Sequence, residues 1–465
     1  MKVRFLLGPA GSGKTFTCLS EIRRQLIADP EGPPLVLLAP KQATFQLERQ
    51  LFEDDELTGY TRLQILSFDR LARYILDELA IEPNEFLSEE GRLMVLRALL
   101  AREQDNLAMY RASANMPGFA AQLSQLLREL QRSRMTPKRV AELAGKEEFP
   151  ERLRAKLTDL AHIAAAYYEW LKQRDLDDAD RVLEIAGEEL RRLDIPSRID
   201  PSSPPPVHLA GLWLDGFAEM TPQETELLAT VLPFCENATL AFCLPSLPDP
   251  EDAGFSLWNV TGASFRQCRQ RIDQLSGCEI TVDLIERDPT KSRFAAPALA
   301  ALEAQWERRS EIEHDGDPNA IRMVSCFDRE AETVFAAREI RRHARAGGRY
   351  RDCTVLVRDL SDYGHIIRRV FTRYGIPFFL DQRESAAHHP IAELTRFSLR
   401  TAAWNWQLED WFGLLKTGLC SIGPSRIDFL ENLALAFGWD ARTWQTSPDF
   451  SKVNGLDEAW DELRN

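Results

Sequence analysis

Residues 3–15 read Val3-Arg4-Phe5-Leu6-Leu7-Gly8-Pro9-Ala10-Gly11-Ser12-Gly13-Lys14-Thr15, and they set the interpretation of everything that follows. Residues 3–7 are a short apolar run, the pattern of a buried strand. Residues 8–15 fit the phosphate-loop pattern G-x-x-x-x-G-K-S/T. One helical face of apolar residues comes next and stops at Asp29-Pro30. The order strand, glycine-rich loop, helix is the context that this motif requires.

The phosphate-loop pattern predicts how ATP and Mg²⁺ bind. Successive backbone N–H groups of such a loop face one concavity, and glycine allows the tight bend. The Lys14 ammonium group would contact the β- and γ-phosphates, and the Thr15 hydroxyl would be a ligand of Mg²⁺. The predicted nucleotide-binding residues are Gly8, Gly11, Ser12, Gly13, Lys14 and Thr15. The alternative is a glycine-rich turn without a nucleotide.

An acidic residue that binds Mg²⁺ together with Thr15 is expected at the end of a neighbouring strand. Asp215 follows the apolar run 207–214 and is the candidate, as a metal-binding and catalytic residue. The alternative is an acid that only caps the turn after the strand. Hydrolysing enzymes usually follow this aspartate with a glutamate, but Gly216 and Phe217 follow here. Since general-base assistance is worth about 10²–10⁴-fold, slow turnover or none is expected.

The patterns along the chain predict an α/β protein with a parallel sheet. Apolar runs alternate with helical periods over 1–87 and again over 201–245, which we assign to one domain. Helical patterns alone fill 88–200, an all-α insertion. Residues 246–319 are interpreted as a connecting segment of loops and short helices. A second α/β domain is predicted for 320–403, with strands at 321–325, 354–357 and 377–380, followed by a partial helical region at 404–465.

Composition excludes several classes of protein. The 465 residues carry a net charge of −15, which argues against a protein held on nucleic acid by bulk positive charge but does not exclude a basic channel inside an acidic shell. No apolar run approaches the roughly 20 residues of a membrane span. The 8 cysteines form no Cys-x-x-Cys pair, so neither a zinc ribbon nor a disulfide scaffold is indicated. A cytoplasmic protein is expected.

Several blocks of sequence, in this order, resemble one known family. After the phosphate loop come Pro40-Lys41-Gln42-Ala43-Thr44-Phe45, Leu66-Ser67-Phe68-Asp69-Arg70-Leu71-Ala72, Pro117-Gly118-Phe119, Leu214-Asp215-Gly216-Phe217, Val355-Leu356-Val357-Arg358-Asp359, Asp381-Gln382 and His389-Pro390. Together they resemble the N-terminal half of AddB (RexB), a subunit of AddAB-type ATP-dependent helicase–nucleases. These enzymes are relatives of RecBCD that process double-strand breaks.

The resemblance implies two RecA-like domains, the first a P-loop NTPase domain, with a motor that is degenerate or weak. It also implies that the chain binds ATP, guides single-stranded DNA from the partner subunit AddA, and recognises the recombination hotspot Chi. Residues that would face the DNA strand are Gln42, Thr44, Phe68 and Arg70. Such side chains can bond to base edges or phosphates and stack on bases.

Alternatives remain for these residues. Phe68 could instead pack in the core, and Gln42 could cap the next helix. Arg358 resembles a catalytic arginine that points at the γ-phosphate, with a surface ion pair as its alternative. A basic cluster around Arg341–Arg351 could contact phosphates or be a solvated helix face.

The chain also departs from the AddB pattern. The C-terminal nuclease domain and the cysteines that bind an iron–sulfur cluster in AddB are not found, so a partial gene product is expected. Two other functions stay open, a stand-alone P-loop kinase and a structural partner of AddA that does not bind ATP.

Overall fold

The structure is a computed structural model, which describes residues 1–52, 57–116, 118–193, 207–248, 256–286, 294, 296–306, 317, 319–380 and 386–439. The chain divides into two compact units, unit 1 (Met1–Ile321) and unit 2 (Arg322–Asn465), and each is described by itself. The predicted connector at 201–206, Asp381-Gln382 and the tail from 440 lie outside the described residues.

Unit 1 contains a six-stranded sheet in the order β3-β2-β6-β7-β1-β8, in which every pairing is parallel. A separate parallel pair joins β4 and β5. The strands are β1 (Lys2–Gly8), β2 (Leu35–Leu38), β3 (Leu63–Leu66), β4 (Glu85–Leu87), β5 (Leu176–Asp178), β6 (Leu209–Leu214), β7 (Cys235–Cys243) and β8 (Glu279–Leu284). Because the strands of the main sheet are parallel, their carboxyl ends meet at one edge.

Eleven α-helices belong to the described part of unit 1. They are α1 (Lys14–Ala28), α2 (Thr44–Leu51), α3 (Phe68–Glu78), α4 (Glu89–Glu103), α5 (Phe119–Arg132), α6 (Pro137–Ala144), α7 (Glu151–Lys172), α8 (Val182–Arg192), α9 (Pro222–Val231), α10 (Asn259–Ile272) and α11 (Pro297–Gln305). None of the helices described anywhere in the chain combines the length and apolar composition needed to cross a membrane.

Both faces of the main sheet are covered by helices. In β1, Phe5 and Leu7 pack into a core shared with α3, α8, α9 and α10, whereas Leu6 packs on the opposite face with α1 and α2. Alternate residues of a strand point to opposite faces, so a strand buried on both sides is apolar at every position. The apolar run at 3–7, interrupted by Arg4, has this cause, and the coarse α/β prediction with a parallel sheet is confirmed.

The insertion differs from its prediction at both ends. Helices α4 to α7 form a core of their own, but β4, which precedes the predicted insertion, pairs with β5 inside it. Helix α8 lies outside that core: Val182, Ala186 and Leu190 pack with the helices on the main sheet. The prediction of helices over 88–200 includes α8, but a helical pattern does not tell which core a helix covers.

The segment predicted as a connection at 246–319 contains part of the sheet. Helix α10 covers the sheet, and β8 pairs with β1 in parallel, from Lys2 opposite Glu279 to Leu7 opposite Leu284. As an edge strand, β8 buries little: Ile280 and Val282 are only half-buried. Its alternating polar residues made it less recognisable than the central strands.

Unit 2 departs furthest from its prediction. Its described helices are α12 (Arg329–Arg345), α13 (Leu360–Arg373), α14 (Pro390–Ala403), α15 (Leu408–Leu415) and α16 (Pro424–Phe437). Where strands were predicted at 321–325, 354–357 and 377–380, the described backbone pairs with no other strand. Val357 and Leu380 in these segments pack, partly buried, against the core of α12 and α13, whereas Leu356 and Phe379 are 90% and 89% exposed. They have the apolar pattern of strands without the ladder hydrogen bonds.

Candidate functional site

The loop between β1 and α1 has the backbone geometry that its glycines permit. Gly11 and Gly13 have φ angles of 78° and 99°, in the left-handed region that side chains disfavour. A Cβ atom on Gly8 would lie 2.4 Å from Ser12 Oγ and 2.9 Å from the Ile285 carbonyl oxygen. The second contact is with backbone, which cannot move aside easily. Glycine is therefore required at the first position of the motif for steric reasons.

Lys14 spans this loop from the first turn of α1. Its ammonium group donates to the carbonyl oxygens of Gly8 at 2.7 Å and Pro9 at 2.8 Å, and the side chain is buried. Ser12 Oγ is also buried and has no hydrogen-bond partner among the described residues. A buried hydroxyl without a partner is unfavourable. The loop thus holds an ammonium group and an unused hydroxyl, which fits a site for phosphate oxygens.

The structure brings Thr15 and Asp215 into direct contact, although they are 200 positions apart in the chain. Thr15 Oγ1 donates to Asp215 Oδ2 at 2.5 Å. Strand β6 ends just before Asp215, and one strand, β7, separates it from β1 in the sheet. Because parallel strands end at the same edge, the residue after β6 reaches the start of α1. The two residues therefore lie together in the structure, and their role as Mg²⁺ ligands stays a prediction.

Asp215 is held in a protected environment. It is 7% exposed, and burial raises the pKa of its carboxyl group above the ordinary value. The hydrogen bonds from Thr15 and from the Gly216 N–H, and the charge of Lys14, lower that pKa but do not cancel the effect of burial. Hydroxyl and carboxylate oxygens are ligands that Mg²⁺ prefers, so the pair fits a Mg²⁺ ion shared with phosphate oxygens.

The described residues contain no group of three or more histidine, cysteine or acidic side chains placed to bind a metal ion. The Mg²⁺ site that Thr15 and Asp215 would form is therefore one that needs phosphate oxygens and water to complete it.

A cavity of about 460 Å³ adjoins the Thr15–Asp215 pair, between α1 and α2. Arg23 of α1 donates to the carbonyl oxygens of Leu51 at 3.2 Å and Gln50 at 3.4 Å, and so holds α1 against the end of α2. The cavity is lined by Thr15, Phe16, Leu19, Arg23, Ala43, Gln46, Leu47, Gln50, Asp215 and Gly216. It connects the predicted Mg²⁺ ligands with the start of α2.

Three of the four predicted DNA-contacting residues lie at accessible positions after β2 and β3. Gln42 and Arg70 are exposed, and Thr44 is half-buried with its hydroxyl donating to the Lys41 carbonyl oxygen at 3.2 Å. The alternative role for Gln42 is not observed, because no side chain caps α2. The side chains of Gln42, Thr44 and Arg70 do not pack in the core around the sheet.

Phe68 requires a correction. Its side chain is 3% exposed, and its ring packs edge-on against Phe217 with centroids 5.2 Å apart. A ring enclosed in this way has no open face for a DNA base. The expectation that Phe68 stacks on DNA is therefore replaced by its alternative, packing in the core.

Sequence reasoning missed a better placed aromatic residue. Phe45, in the first turn of α2, is 76% exposed. The buried residues of α2 are Leu47 and Leu51, and Phe45 lies two positions from Leu47, about 200° around the helix. The period of the helix alone would have placed Phe45 opposite the buried face. Phe16, in the first turn of α1, is similarly exposed at 70%.

Arg358 belongs to unit 2 and is exposed just before α13. Its neighbour Asp359 caps that helix by accepting a hydrogen bond from the Ser361 N–H at 2.8 Å. No ion pair of Arg358 with another described residue is seen, and its action at a γ-phosphate stays a prediction.

Comparison with known proteins identifies relatives. The sequence profile of the family described as "ADDB, N-terminal" matches residues 5–303. A protein of Desulforudis audaxviator, named as the B-type subunit of an ATP-dependent helicase/deoxyribonuclease, is 36% identical over 459 residues, which are 97% of this chain and 38% of that protein. The protein of the same name from Moorella thermoacetica is 35% identical over 466 residues, 98% of this chain and 39% of its own. The chain thus spans about two-fifths of the length of these relatives.

The family profile covers the phosphate loop, Asp215 and all of the sheet except the first three residues of β1, and the relatives match nearly the full chain. On these grounds, the chain belongs to the AddB family, of which it represents the N-terminal part.

Proposed function

We propose that this chain is the ATP-binding and single-strand-binding, helicase-like part of a helicase–deoxyribonuclease subunit. In this proposal unit 1 is a RecA-like P-loop NTPase domain, and unit 2, whose extended segments form no sheet among the described residues, belongs to a second RecA-like domain. The observation that carries the proposal is the contact between Thr15 and Asp215 beside a glycine-rich loop at the carboxyl edge of a parallel sheet. Ligands of open α/β sheets bind outside that edge.

ATP would bind with its phosphates at the loop and the N-terminus of α1, whose backbone N–H groups and dipole favour anions. Lys14 would exchange its bonds to Gly8 and Pro9 for phosphate oxygens, and Ser12 would gain a partner. Bound Mg²⁺ supplies charge neutralisation of the phosphates. Thr15 and Asp215 are the residues of this chain that would hold and orient it.

Hydrolysis is proposed to be slow. The two residues after Asp215 are Gly216, with a φ of 85°, and Phe217, whose ring packs on Phe68. Neither can accept a proton from an attacking water molecule. A motor without this general base would lose about 10²–10⁴-fold in rate, which agrees with a protein that binds ATP more than it consumes it.

Single-stranded DNA is proposed to lie along the edge where β2 and β3 end. Gln42 and Thr44 follow β2, and Arg70 follows β3, so all three lie at the edge that carries the phosphate loop. Phe45 adds an exposed ring on which a base could stack. Amide and hydroxyl groups can also read base edges, which is how this part of the protein would recognise a Chi-type sequence.

The names of the relatives describe one component of an ATP-dependent helicase/deoxyribonuclease. We therefore propose that this chain works in the processing of double-strand breaks for recombinational repair, together with an AddA-like partner. In a complex of this kind the partner would supply the translocation, and this chain would guide the strand.

Titration with a fluorescent ATP analogue tests the central claim. Lys14→Ala is expected to abolish binding in the presence of Mg²⁺, while Lys138→Ala, which removes an exposed lysine from α6, leaves the affinity unchanged. The far-ultraviolet circular dichroism of both variants should match that of the unmodified chain. Nucleotide affinity that survives Lys14→Ala would show that the phosphate-loop assignment is wrong.

A further inference from the structure

A cleft of about 440 Å³ in unit 2 has an unusual lining that the proposed function leaves unexplained. It is lined by Arg338, Arg341, Arg342, Arg345, Arg373 and Tyr374. The first four are spaced i, i+3, i+4 and i+7 along α12, which places them on one face of that helix. The other two lie at the end of α13.

The cleft is built on packed helices. Helices α12 and α13 share a core that includes Ala337, Val370 and Phe371. The Arg341 guanidinium group donates to the carbonyl oxygen of Tyr374, which joins the two walls. The Arg373 guanidinium group lies over the Tyr374 ring, 5.6 Å from its centroid. Contacts within the protein therefore position Arg341, Arg373 and Tyr374 in the absence of a ligand.

Little negative charge offsets these arginines. Glu339 pairs with Arg342, but it also pairs with Arg322 outside the cleft. Glu330 lies 3.9 Å from Arg373 and closer, at 2.7 Å, to Arg369. The carboxyl ends of α12 and α13 each carry about half a negative charge, so about three positive charges remain in the cleft.

Two arginines are left without an acidic partner. Among the described residues, neither Arg338 nor Arg345 forms an ion pair, and both are exposed. The chain as a whole carries a net charge of −15, so a positive cleft of this kind is a local exception. It would attract a polyanion to one place on an otherwise acidic protein.

We propose that this cleft binds the phosphate backbone of single-stranded DNA. The proposal rests on the proposed function in that it takes DNA as the ligand, but it places a contact in unit 2, on residues separate from Gln42, Thr44 and Arg70. Guanidinium groups bind phosphate through paired hydrogen bonds, which a lysine cluster would not offer.

The spacing of the arginines suits a strand. From Arg338 to Arg345 the helix rises about 10 Å, which is long enough for the row to meet more than one phosphate of the same strand. A peptide would also need apolar pockets for alternate side chains, and Tyr374 is the one aromatic residue in the lining. The small volume of the cleft suits one backbone better than a duplex.

The salt dependence of binding tests this cleft. The probe is a fluorescently labelled oligothymidylate, titrated into the full chain and into R338A/R345A at several salt concentrations. Each phosphate contact on a single strand contributes about 0.7 to the slope of log K against log salt, so the variant should lose about 1.4. The control R97A/R152A removes two exposed arginines from α4 and α7, and its slope should stay unchanged.

The outcomes separate the cleft from the proposed function. If Arg70→Ala weakens binding but R338A/R345A leaves the slope unchanged, the DNA-binding function stands and the cleft is excluded. If the unmodified chain binds no oligonucleotide, both the DNA-binding function and the DNA-binding cleft are excluded. A variant that loses affinity for a duplex alone, or for polyglutamate in place of DNA, would also overturn the single-strand assignment.

Discussion

At the scale of single residues, Asp215 is a buried carboxylate whose ionised form lowers the stability of the folded protein. Burial of Asp215 raises the pKa of its carboxyl group, which means that the surroundings favour the neutral acid over the ion. Metal-binding carboxylates commonly have this property, since the bound cation compensates the burial. Without the cation, Asp215 should reduce the stability of unit 1.

Asp215→Asn tests this cost. The neutral amide should raise the thermal unfolding midpoint of the ligand-free chain by about 2 °C, the change that about 1 kcal/mol produces in a large domain. The same substitution should remove the gain in nucleotide affinity that Mg²⁺ gives, because one ligand is lost. Differential scanning calorimetry and nucleotide titrations with and without Mg²⁺ measure the two effects.

The matched control is Asp105→Asn, at an exposed carboxylate that pairs with Arg111. It should change neither quantity. A lower unfolding midpoint for Asp215→Asn would contradict the inferred cost of burying this residue.

Phe45 and Phe68 form a second comparison at this scale, since the two rings have opposite exposures. Phe68→Ala should lower the free energy of unfolding by about 3–5 kcal/mol, because it leaves a cavity in the core. Phe45→Ala should leave stability unchanged and weaken binding of single-stranded DNA by about 1–3 kcal/mol, the value of one stacked base. Urea unfolding and oligonucleotide titration distinguish them.

If Phe68→Ala proved harmless to stability and specifically weakened DNA binding, the position of this ring in the core would be contradicted. If Phe45→Ala had no effect on DNA binding, the path of the strand over α2 would have to be abandoned.

At the scale of elements, one carboxylate joins several helices of unit 1. Glu226 of α9 accepts hydrogen bonds from Arg271 of α10 at 2.9 Å and 3.0 Å and from Arg191 of α8 at 2.9 Å. Arg134, just after α5, pairs with it at 3.0 Å. Its hydrogen bonds with Arg271 and the positive charges lower the pKa of Glu226 to about 2. This residue ties the insertion to the helices that cover the sheet.

Glu226→Gln should make the stability of unit 1 less dependent on pH. The ordinary glutamate pKa is about 4.3, so the stabilisation by Glu226 is complete above that pH and is lost as pH falls toward 2. The variant should be less stable at pH 7 by about 1–2 kcal/mol, a value reduced for the partial exposure of the arginines. The difference should disappear near pH 2 in urea unfolding experiments.

Glu142→Gln provides the control, because Glu142 forms an exposed ion pair with Arg139 on α6. Its effect should stay within about 0.5 kcal/mol at every pH. A deficit for Glu226→Gln that persisted at pH 2 would point to packing, not charge.

Elements could be predicted from the sequence where the pattern of apolar residues within the element identifies it. Central parallel strands are largely apolar, so the apolar runs of β1, β2, β6 and β7 were recognisable, as was the phosphate loop. Strand β8 was missed because an edge strand buries one face weakly. The contact between Thr15 and Asp215 followed from the parallel sheet, whereas the burial of Phe68 depends on a ring, Phe217, that is 149 positions away and invisible to local periodicity.

At the scale of the molecule, unit 2 exposes a large set of apolar side chains. The three extended segments leave Met323 97%, Leu356 90% and Phe379 89% exposed. Exposed apolar side chains of this kind bind apolar probes. The chain should therefore enhance the fluorescence of anilinonaphthalene sulfonate without denaturant, and replacing these three residues with serine should reduce the signal at least several-fold.

Replacement of Met94, Met116 and Leu153, which are exposed in the insertion of unit 1, serves as the control. Serine at these positions should leave the fluorescence nearly unchanged. Equal dye binding by both triple variants would exclude the extended segments as the source.

The pairing of β1 has a consequence for how the protein is made. This strand leaves the ribosome long before its neighbours in the sheet, β7 and β8, which begin at residues 235 and 279. At synthesis rates of about 5–20 residues per second, an apolar strand and its phosphate loop would wait roughly 10–50 s for partners. During that interval the nascent chain depends on chaperones, and ATP can stabilise it only after the β7 segment has emerged.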